Sequence, residues 1–441
     1  SLEMMLNLQY STSSNIHRYD KLNDYKNDYL KYAEWYYGPQ NRFMAALQTR
    51  YLQSTSFFTN INTIVSFQQV DEDRITRGFG DDIKYWQMEG VNVYTLTADF
   101  LKIRDNGDRI NYGVETNYNI VNSDAYAKNI LTGEKLPEMT RYPDDGSITQ
   151  TYSAYMGYKK VIKQKLIVNS GIRYSYNHLY SGFSNQMLAL PFNEIEISNG
   201  ALTGSLSFVY HPTEVWKFNL IGSTGFRNPN VDDYGKIRAK DEYVTVPSAD
   251  VGPEYAYNLE FGLSKTFEGY INIGATGFMT YLTDAIVREP HTVMGKDSLE
   301  FQGHQYRMIA NTNVDRAMIN GLSFNILADV SKSIRFKSIL NFIEGSNLTQ
   351  DVPLAHIPPM FGNTMIKYTT KRTFFQFDVQ YNGWKKRGDM SPYGEDNEDE
   401  ATPHGYPSWY ILNAKAAYNL SDNMFIQLAI DNILDNYYTT F

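Results

Sequence analysis

The most concentrated chemistry in the chain is acidic. The run Gly394-Glu395-Asp396-Asn397-Glu398-Asp399-Glu400 crowds carboxylates together, and a hard cation such as Ca²⁺ takes several carboxylate oxygens. Glu395, Asp396, Glu398 and Asp399 are its candidate ligands. The run lacks the spaced Asp-x-Asp-x-Asp-Gly order of a dedicated calcium loop, so a solvated acidic loop is the stronger reading. Histidine comes next. The seven are scattered. His404, with Tyr406 beside it, and His291 and His304 could each ligate haem iron. His211, in a short turn, and His356, before Pro358-Pro359, read as structural. A third set is Phe226-Arg227-Asn228-Pro229 with Tyr234 close behind. It could capture a ligand. The favoured reading is plainer: Arg227 pairs with carboxylates and Pro229 ends a strand. Nothing catalytic is visible. There is no Gly-x-Ser-x-Gly, no His-Glu-x-x-His and no phosphate loop, and the chain has no cysteine to act as a thiol nucleophile. An enzyme is not expected, and no intrinsic cofactor is called for.

The elements that must position these residues are strands. The 441 residues include 36 Tyr, 24 Phe and 5 Trp. The mean hydropathy is −0.45, and no stretch approaches the ~18 apolar residues of a membrane-crossing helix. Period-two segments recur instead, about 17 in all, each of the nine or more residues that a tilted membrane strand needs. In 92–101, Tyr94, Leu96, Ala98 and Phe100 share one face, and Thr95, Thr97 and Asp99 the other. In 375–382, Phe375, Phe377, Val379 and Tyr381 oppose Gln376, Asp378, Gln380 and Asn382. In 410–419, Tyr410, Leu412, Ala414, Ala416 and Tyr418 oppose Asn413, Lys415 and Asn419. Asp, Lys, Gln and Asn on a repeated face suit a watery lumen better than a dry core.

The connections carry more information than the strands. They alternate, short then long. Short turns are expected near 53–56, 105–108, 159–163, 211–214, 267–269, 331–333, 370–372 and 421–423. Long loops are expected near 11–41, 71–90, 123–149, 179–193, 223–252, 283–318, 344–362 and 383–406. One rim of tight turns and one of long loops is the asymmetry of an outer-membrane barrel. The fold class is therefore all-β, a transmembrane antiparallel β-barrel with short periplasmic turns and long extracellular loops. Outer-membrane lipid and lipopolysaccharide are its expected surroundings. The net charge of −9 argues against a nucleic-acid partner.

Three segments resemble TonB-dependent receptors, those of Bacteroidetes in particular. Gly225-Phe226-Arg227-Asn228-Pro229-Asn230-Val231-Asp232-Asp233 is similar to the family's Phe-Arg-Ala-Pro box, with Asn228 in place of Ala. Val246-Pro247-Ser248-Ala249-Asp250-Val251-Gly252-Pro253-Glu254-Tyr255 is similar to its Asn-Pro-x-Leu-x-Pro-Glu box, without the first Asn. Ile430-Asp431-Asn432-Ile433-Leu434-Asp435-Asn436-Tyr437-Tyr438 is similar to the Asn-Leu-Leu-Asp-x-x-Tyr stretch before the last hairpin. Together, in order, they are a specific signal, and the resemblance covers essentially the whole chain.

The resemblance implies active import of a scarce ligand across the outer membrane. The ligand would be a ferric siderophore, haem, a corrinoid or a similar chelate, and the TonB–ExbB–ExbD machinery would pull on a plug. A histidine between the two boxes usually marks the family's haem receptors, and none lies between Pro229 and Pro247 here. It also implies about 22 strands. With 422–432 as the penultimate strand, strand 2–10 would be the fifth. Residues 1–441 are then expected to be a barrel domain incomplete at both ends. About four strands and the plug would lie upstream of Ser1, which opens no signal peptide, and one strand would follow Phe441, read here as a loop residue. A plug-free passive porin, and a barrel subunit of a larger complex with a surface lipoprotein, remain the alternatives.

Overall fold

The structure, a computed structural model, describes every residue except 27, 185, 188–189, 241, 302–303, 393–395, 399 and 440–441. Phe441 therefore lies outside the described residues. Seventeen long strands form one antiparallel wall. The first nine are β1 (Leu2–Thr12), β2 (Asn41–Leu52), β3 (Asn60–Gly78), β4 (Ile83–Ile103), β5 (Arg109–Asn129), β6 (Ser147–Ile162), β7 (Leu166–Gly182), β8 (Glu194–Tyr210) and β9 (Trp216–Arg227). The rest are β10 (Glu254–Phe267), β11 (Ile271–Pro290), β12 (His304–Asp329), β13 (Ile334–Asn347), β14 (Phe361–Thr369), β15 (Thr373–Asn382), β16 (Trp409–Ser421) and β17 (Met424–Ile430). Each pairs with the next in sequence order. Among the described residues β1 pairs only with β2 and β17 only with β16, so both outer edges present unpaired backbone. No described helix is long and apolar enough to cross a membrane.

Alternation sorts the two faces of this wall. Tyr94 and Leu96 on β4 are 46% and 42% exposed, and Phe375, Phe377, Leu322 and Phe324 point outward in the same way. So wide an apolar surface is costly in water and favourable against acyl chains. Rings run from strand to strand along it. Phe43, Phe67, Tyr94 and Tyr118 follow one another with centroids 6.2, 5.0 and 6.2 Å apart. Tyr51, Phe58, Phe100 and Tyr112 make a second series nearer the tight turns, at 6.3, 6.3 and 5.0 Å. The inner face is a ladder of polar pairs. Thr95 donates to Asn117 at 3.0 Å, Arg173 to Glu115 at 3.1 Å, Ser323 to Asn341 at 2.7 Å and Asn413 to Asp378 at 2.9 Å. Each satisfies a group that would be costly to leave bare.

The connections alternate as expected, but strand extends into three of the expected long loops. The stretch 71–90 is not a loop: β3 continues to Gly78 and β4 begins at Ile83. Strand also enters the expected loop 123–149, where β5 runs to Asn129, and 283–318 is largely strand, since β11 runs to Pro290 and β12 starts at His304. The cause is solvent. A strand standing clear of the membrane is wet on both faces, so Asp71-Glu72-Asp73-Arg74 keeps its ladder without keeping the apolar–polar alternation. At the tight rim, Gly107 takes φ +84, a conformation that glycine adopts without strain. Asn106 accepts from the Asp108 amide at 3.0 Å, which closes the β4–β5 turn.

The apolar core lies at the long-loop end. Leu179, Phe183, Leu190, Ile195, Val231, Tyr234, Ile237, Val244, Val246, Val251, Val293, Phe301, Met308 and Ala310 form one buried cluster. Connections 130–146, 183–193, 228–253 and 291–303 all feed it. Residues 243–245 are pinned alongside 307–309 in a parallel pair. The loops are thus a packed knot with its own core.

Candidate functional site

The knot is organised by the segment that follows β9. Asn230 caps a four-residue helix, Val231–Tyr234, by accepting from the amides of Asp232 and Asp233 at 2.8 and 3.1 Å. The Asp233 carboxylate accepts in return from the Asn230 amide at 2.9 Å, so both ends of the cap are satisfied. Arg227 then ties the two sequence boxes together. Its Nη1 donates to Asp233 at 2.8 Å and its Nε to Glu254 at 2.5 Å. Arg227 and Glu254 are also direct partners across β9 and β10. The second Glu254 oxygen accepts from the Ile286 amide at 3.0 Å. One guanidinium therefore closes the neck of connection 228–253. Phe226 packs on Tyr255 at 5.2 Å, and Asn228 accepts from Asn199 at 2.9 Å.

Tyr234 sits at the centre of the core, 1% exposed. Its hydroxyl lies 2.5 Å from that of Ser181, which donates to Ser147 at 2.6 Å. Burial pushes the phenol up to about 12, because a buried phenolate loses its hydration. The neighbouring Asp232 does the opposite. Burial would raise its carboxyl, but the Lys236 ammonium at 2.6 Å and the Tyr142 hydroxyl at 2.8 Å hold it below the usual carboxylate range. Lys236 and Tyr142 were not singled out in the sequence, nor were Asn311, Asn313, Ser147 and Ser181. Asn311 donates to the Asp233 carbonyl at 2.5 Å. Asn313 accepts from the Gly252 amide at 2.6 Å and donates to its carbonyl at 3.1 Å. Ser147 and Ser181 hold Tyr234. The only signal for the asparagines was Asn311-Thr312-Asn313, two amides on one face of β12.

The acidic run belongs to a second structure. Tyr406 is 2% exposed and donates to the Asn397 carbonyl at 2.7 Å. Asp396 is buried, and its two oxygens accept from the backbone amides of His356 and Ser391, each at 2.7 Å. It thereby staples connection 383–408 to connection 348–360. Glu398 is half-buried, and Glu395 and Asp399 lie outside the described residues. No group of three or more His, Cys, Asp or Glu able to hold a metal occurs among the described residues. His404 is exposed; its carbonyl accepts from the Trp384 indole at 3.1 Å. Lys240 donates to the Asn397 side chain at 2.9 Å, which joins this loop to connection 228–253.

The family described as TonB dependent receptor-like, beta-barrel, matches residues 5–433. The chain belongs to the TonB-dependent receptor β-barrel family. Solved structures of similar fold include the copper transporter OprC, at a TM-score of 0.74 and 13% identity, covering 92% of this chain and 61% of that one. The siderophore receptor PiuA from Acinetobacter baumannii gives 0.70 and 12%, covering 99% and 68%. The ferric citrate transporter FecA, unliganded, gives 0.69 and 14%, covering 99% and 63%. At such identities the likeness is one of fold. No curated protein matches by sequence. This receptor barrel spans roughly three-fifths to two-thirds of the length of those structures. In it, both family-like boxes prove to be joints: Arg227 is spent on Asp233 and Glu254, and Tyr234 is sealed in the core.

Proposed function

We propose that this chain forms the outer-membrane barrel of an active importer. A scarce ligand, a metal chelate or a compound of similar size, binds at the long-loop mouth, and TonB–ExbB–ExbD acting on a plug releases it inward. The observation that carries the reading is the knot. Connections from β5–β6, β7–β8, β9–β10 and β11–β12 pack into one core, and Lys240 links it to the β15–β16 connection. A simple diffusion pore gains nothing from bringing its loops together. A receptor gains a binding surface whose ordering entropy is met by folding rather than by the ligand. In this reading Phe226, Arg227, Asn228, Tyr234 and Tyr406 position the loops, while His404 is free to meet the ligand. The two unpaired edges take further strands, because unpaired amides and carbonyls cost several kcal/mol each in hydrocarbon. No chemical step is assigned to the barrel.

The test is uptake. Cells lacking the gene are supplied with iron as siderophore complexes, with haem or with a corrinoid, each as the limiting source. Loss of uptake of one ligand supports the reading. Unchanged uptake of all of them rejects the chelate-import assignment.

A further inference from the structure

The two rims of the wall differ in charge as well as in loop length. Strand ends and turns at 1–3, 50–59, 102–109, 159–165, 211–217, 265–270, 329–337, 367–372 and 419–424 make up the tight rim. They hold sixteen of the chain's 40 Lys and Arg but only seven of its 49 Asp and Glu. The tight rim is thus strongly basic within a chain of net charge −9. Attraction to lipopolysaccharide phosphates, which face the long loops, would favour the opposite gradient. The basic residues fall mainly on two pairs of neighbouring turns. One pair is β4–β5 with β6–β7, and the other is β12–β13 with β14–β15.

At the second pair, backbone bonds lay the turns side by side. The Thr369 amide donates to the Ser333 carbonyl at 2.7 Å, and the Asn419 amide to the Arg372 carbonyl at 2.8 Å. Lys332, Lys371 and Arg372 therefore stand on adjacent turns, and all three are exposed. Among the described residues none of them makes an ion pair. Asp329 is taken by Arg335 at 2.6 Å, and Asp422 on the β16–β17 turn is the other carboxylate of this corner. Lys337 and Lys367 alternate to the inner face, where Lys367 lies over the Phe374 ring. On the lipid side, just above the three cations, the wall is hollow. Ala416 lies between Phe375 and Leu428, and Ala414 lies beside Phe377. Two small residues among large exposed ones leave an apolar groove of about 470 Å³, within the range of small-molecule sites. Its lower end is Tyr368, opposite the first residue of β13.

An apolar groove that ends at unpaired cations complements an amphiphile with an acyl chain and an anionic head. The guanidinium fork takes two phosphate oxygens and each lysine adds a point charge. We propose that this corner binds an anionic phospholipid of the periplasmic leaflet. One acyl chain lies in the Ala414–Ala416 groove, and the phosphate rests on Lys332, Lys371 and Arg372. The site needs only the membrane-spanning barrel and does not depend on what the barrel imports.

The full-length receptor is purified in detergent, stripped of lipid and mixed with phosphatidylglycerol or phosphatidylcholine of identical chains. Native mass spectrometry counts the lipid that stays bound. Phosphatidylglycerol should be retained with about tenfold preference, and the preference should shrink as salt rises. Lys371→Gln with Arg372→Gln should remove most of that preference, while Lys371→Arg with Arg372→Lys should keep it. Ala416→Phe fills the groove and should lower retention of phosphatidylglycerol about tenfold with every cation in place. Inorganic phosphate should not displace the lipid, because the groove holds the chain. Equal retention of the two lipids, or retention indifferent to the double Gln variant or to Ala416→Phe, overturns the proposal. So does displacement by inorganic phosphate, which would make the corner a plain anion site. Binding of isolated peptidoglycan that the double Gln variant loses, with lipid retention unchanged, would assign the cations to the cell wall instead.

Discussion

Arg227→Met should open the neck of connection 228–253 without unfolding the barrel. The wild-type guanidinium makes two charge-assisted bonds, 2.8 Å to Asp233 and 2.5 Å to Glu254, and these carboxylates are only 14% and 18% exposed. Removing the cation leaves two anions facing each other. Breaking a fully buried pair costs roughly 3–5 kcal/mol. Arg227 is 44% exposed, so water screens part of this, and about 2 kcal/mol is the expected cost. That corresponds to roughly thirtyfold more frequent opening. Hydrogen exchange of the purified receptor reads it directly. Amides in 228–253 should exchange about thirtyfold faster, and those of β9 and β10 should not change, because their ladder does not depend on the side chain. The triple variant Arg227→Met, Asp233→Asn, Glu254→Gln should recover most of the loss, since the cost lies in the orphaned charges and not in the lost bonds. Exchange within twofold of wild type, or a triple variant no better than the single one, would refute this account of the neck.

Three other outcomes follow from the same geometry. The Tyr234 phenol is raised to about 12 by burial, so its contribution to stability is complete below pH ~10 and is lost as pH rises through the folded value. Protease sensitivity of the knot should climb between those limits in the wild type and stay flat in Tyr234→Phe, whose own cost is about 1 kcal/mol. Asp396→Asn can accept only one of the two amides that the carboxylate holds, which costs about 1–2 kcal/mol; it should speed nicking within 383–408 and spare 228–253. An epitope inserted after Thr132 should be reached by antibody on intact cells, and one after Asn106 only after permeabilisation; the reverse pattern would invert the orientation.

How much of this was legible in the sequence depended on which solvent each segment meets. Where a strand has lipid on one side and water on the other, as at Tyr94-Thr95-Leu96-Thr97, the two-residue period shows in the residue types themselves. Strand count followed from that, and the expected sidedness from the alternation of short and long connections. Above the membrane both sides are wet, so Asp71–Arg74 looked like loop and is ladder. The knot was hidden for a different reason. Phe183, Val231, Ile237 and Val293 carry no common period, because they are brought together by tertiary packing of separate connections. Arg227 was readable as an ion-pairing residue, and it is one, but its partners were not: Glu254 lies 27 residues away, across a loop. Tyr234 and Tyr406 looked like recognition aromatics and are core. A buried and an exposed tyrosine are the same letter until the neighbours are placed. Asp396 in an acidic run likewise suggested a cation, while its position sets it against backbone amides.

The central claim is energised import through this barrel. Its most direct test is accumulation of a radiolabelled ferric chelate, compared in otherwise identical cells with and without TonB, each carrying or lacking the gene. The account predicts accumulation only when both are present. Equal entry without TonB, as long as the barrel is in the membrane, would make the chain a passive pore and contradict it.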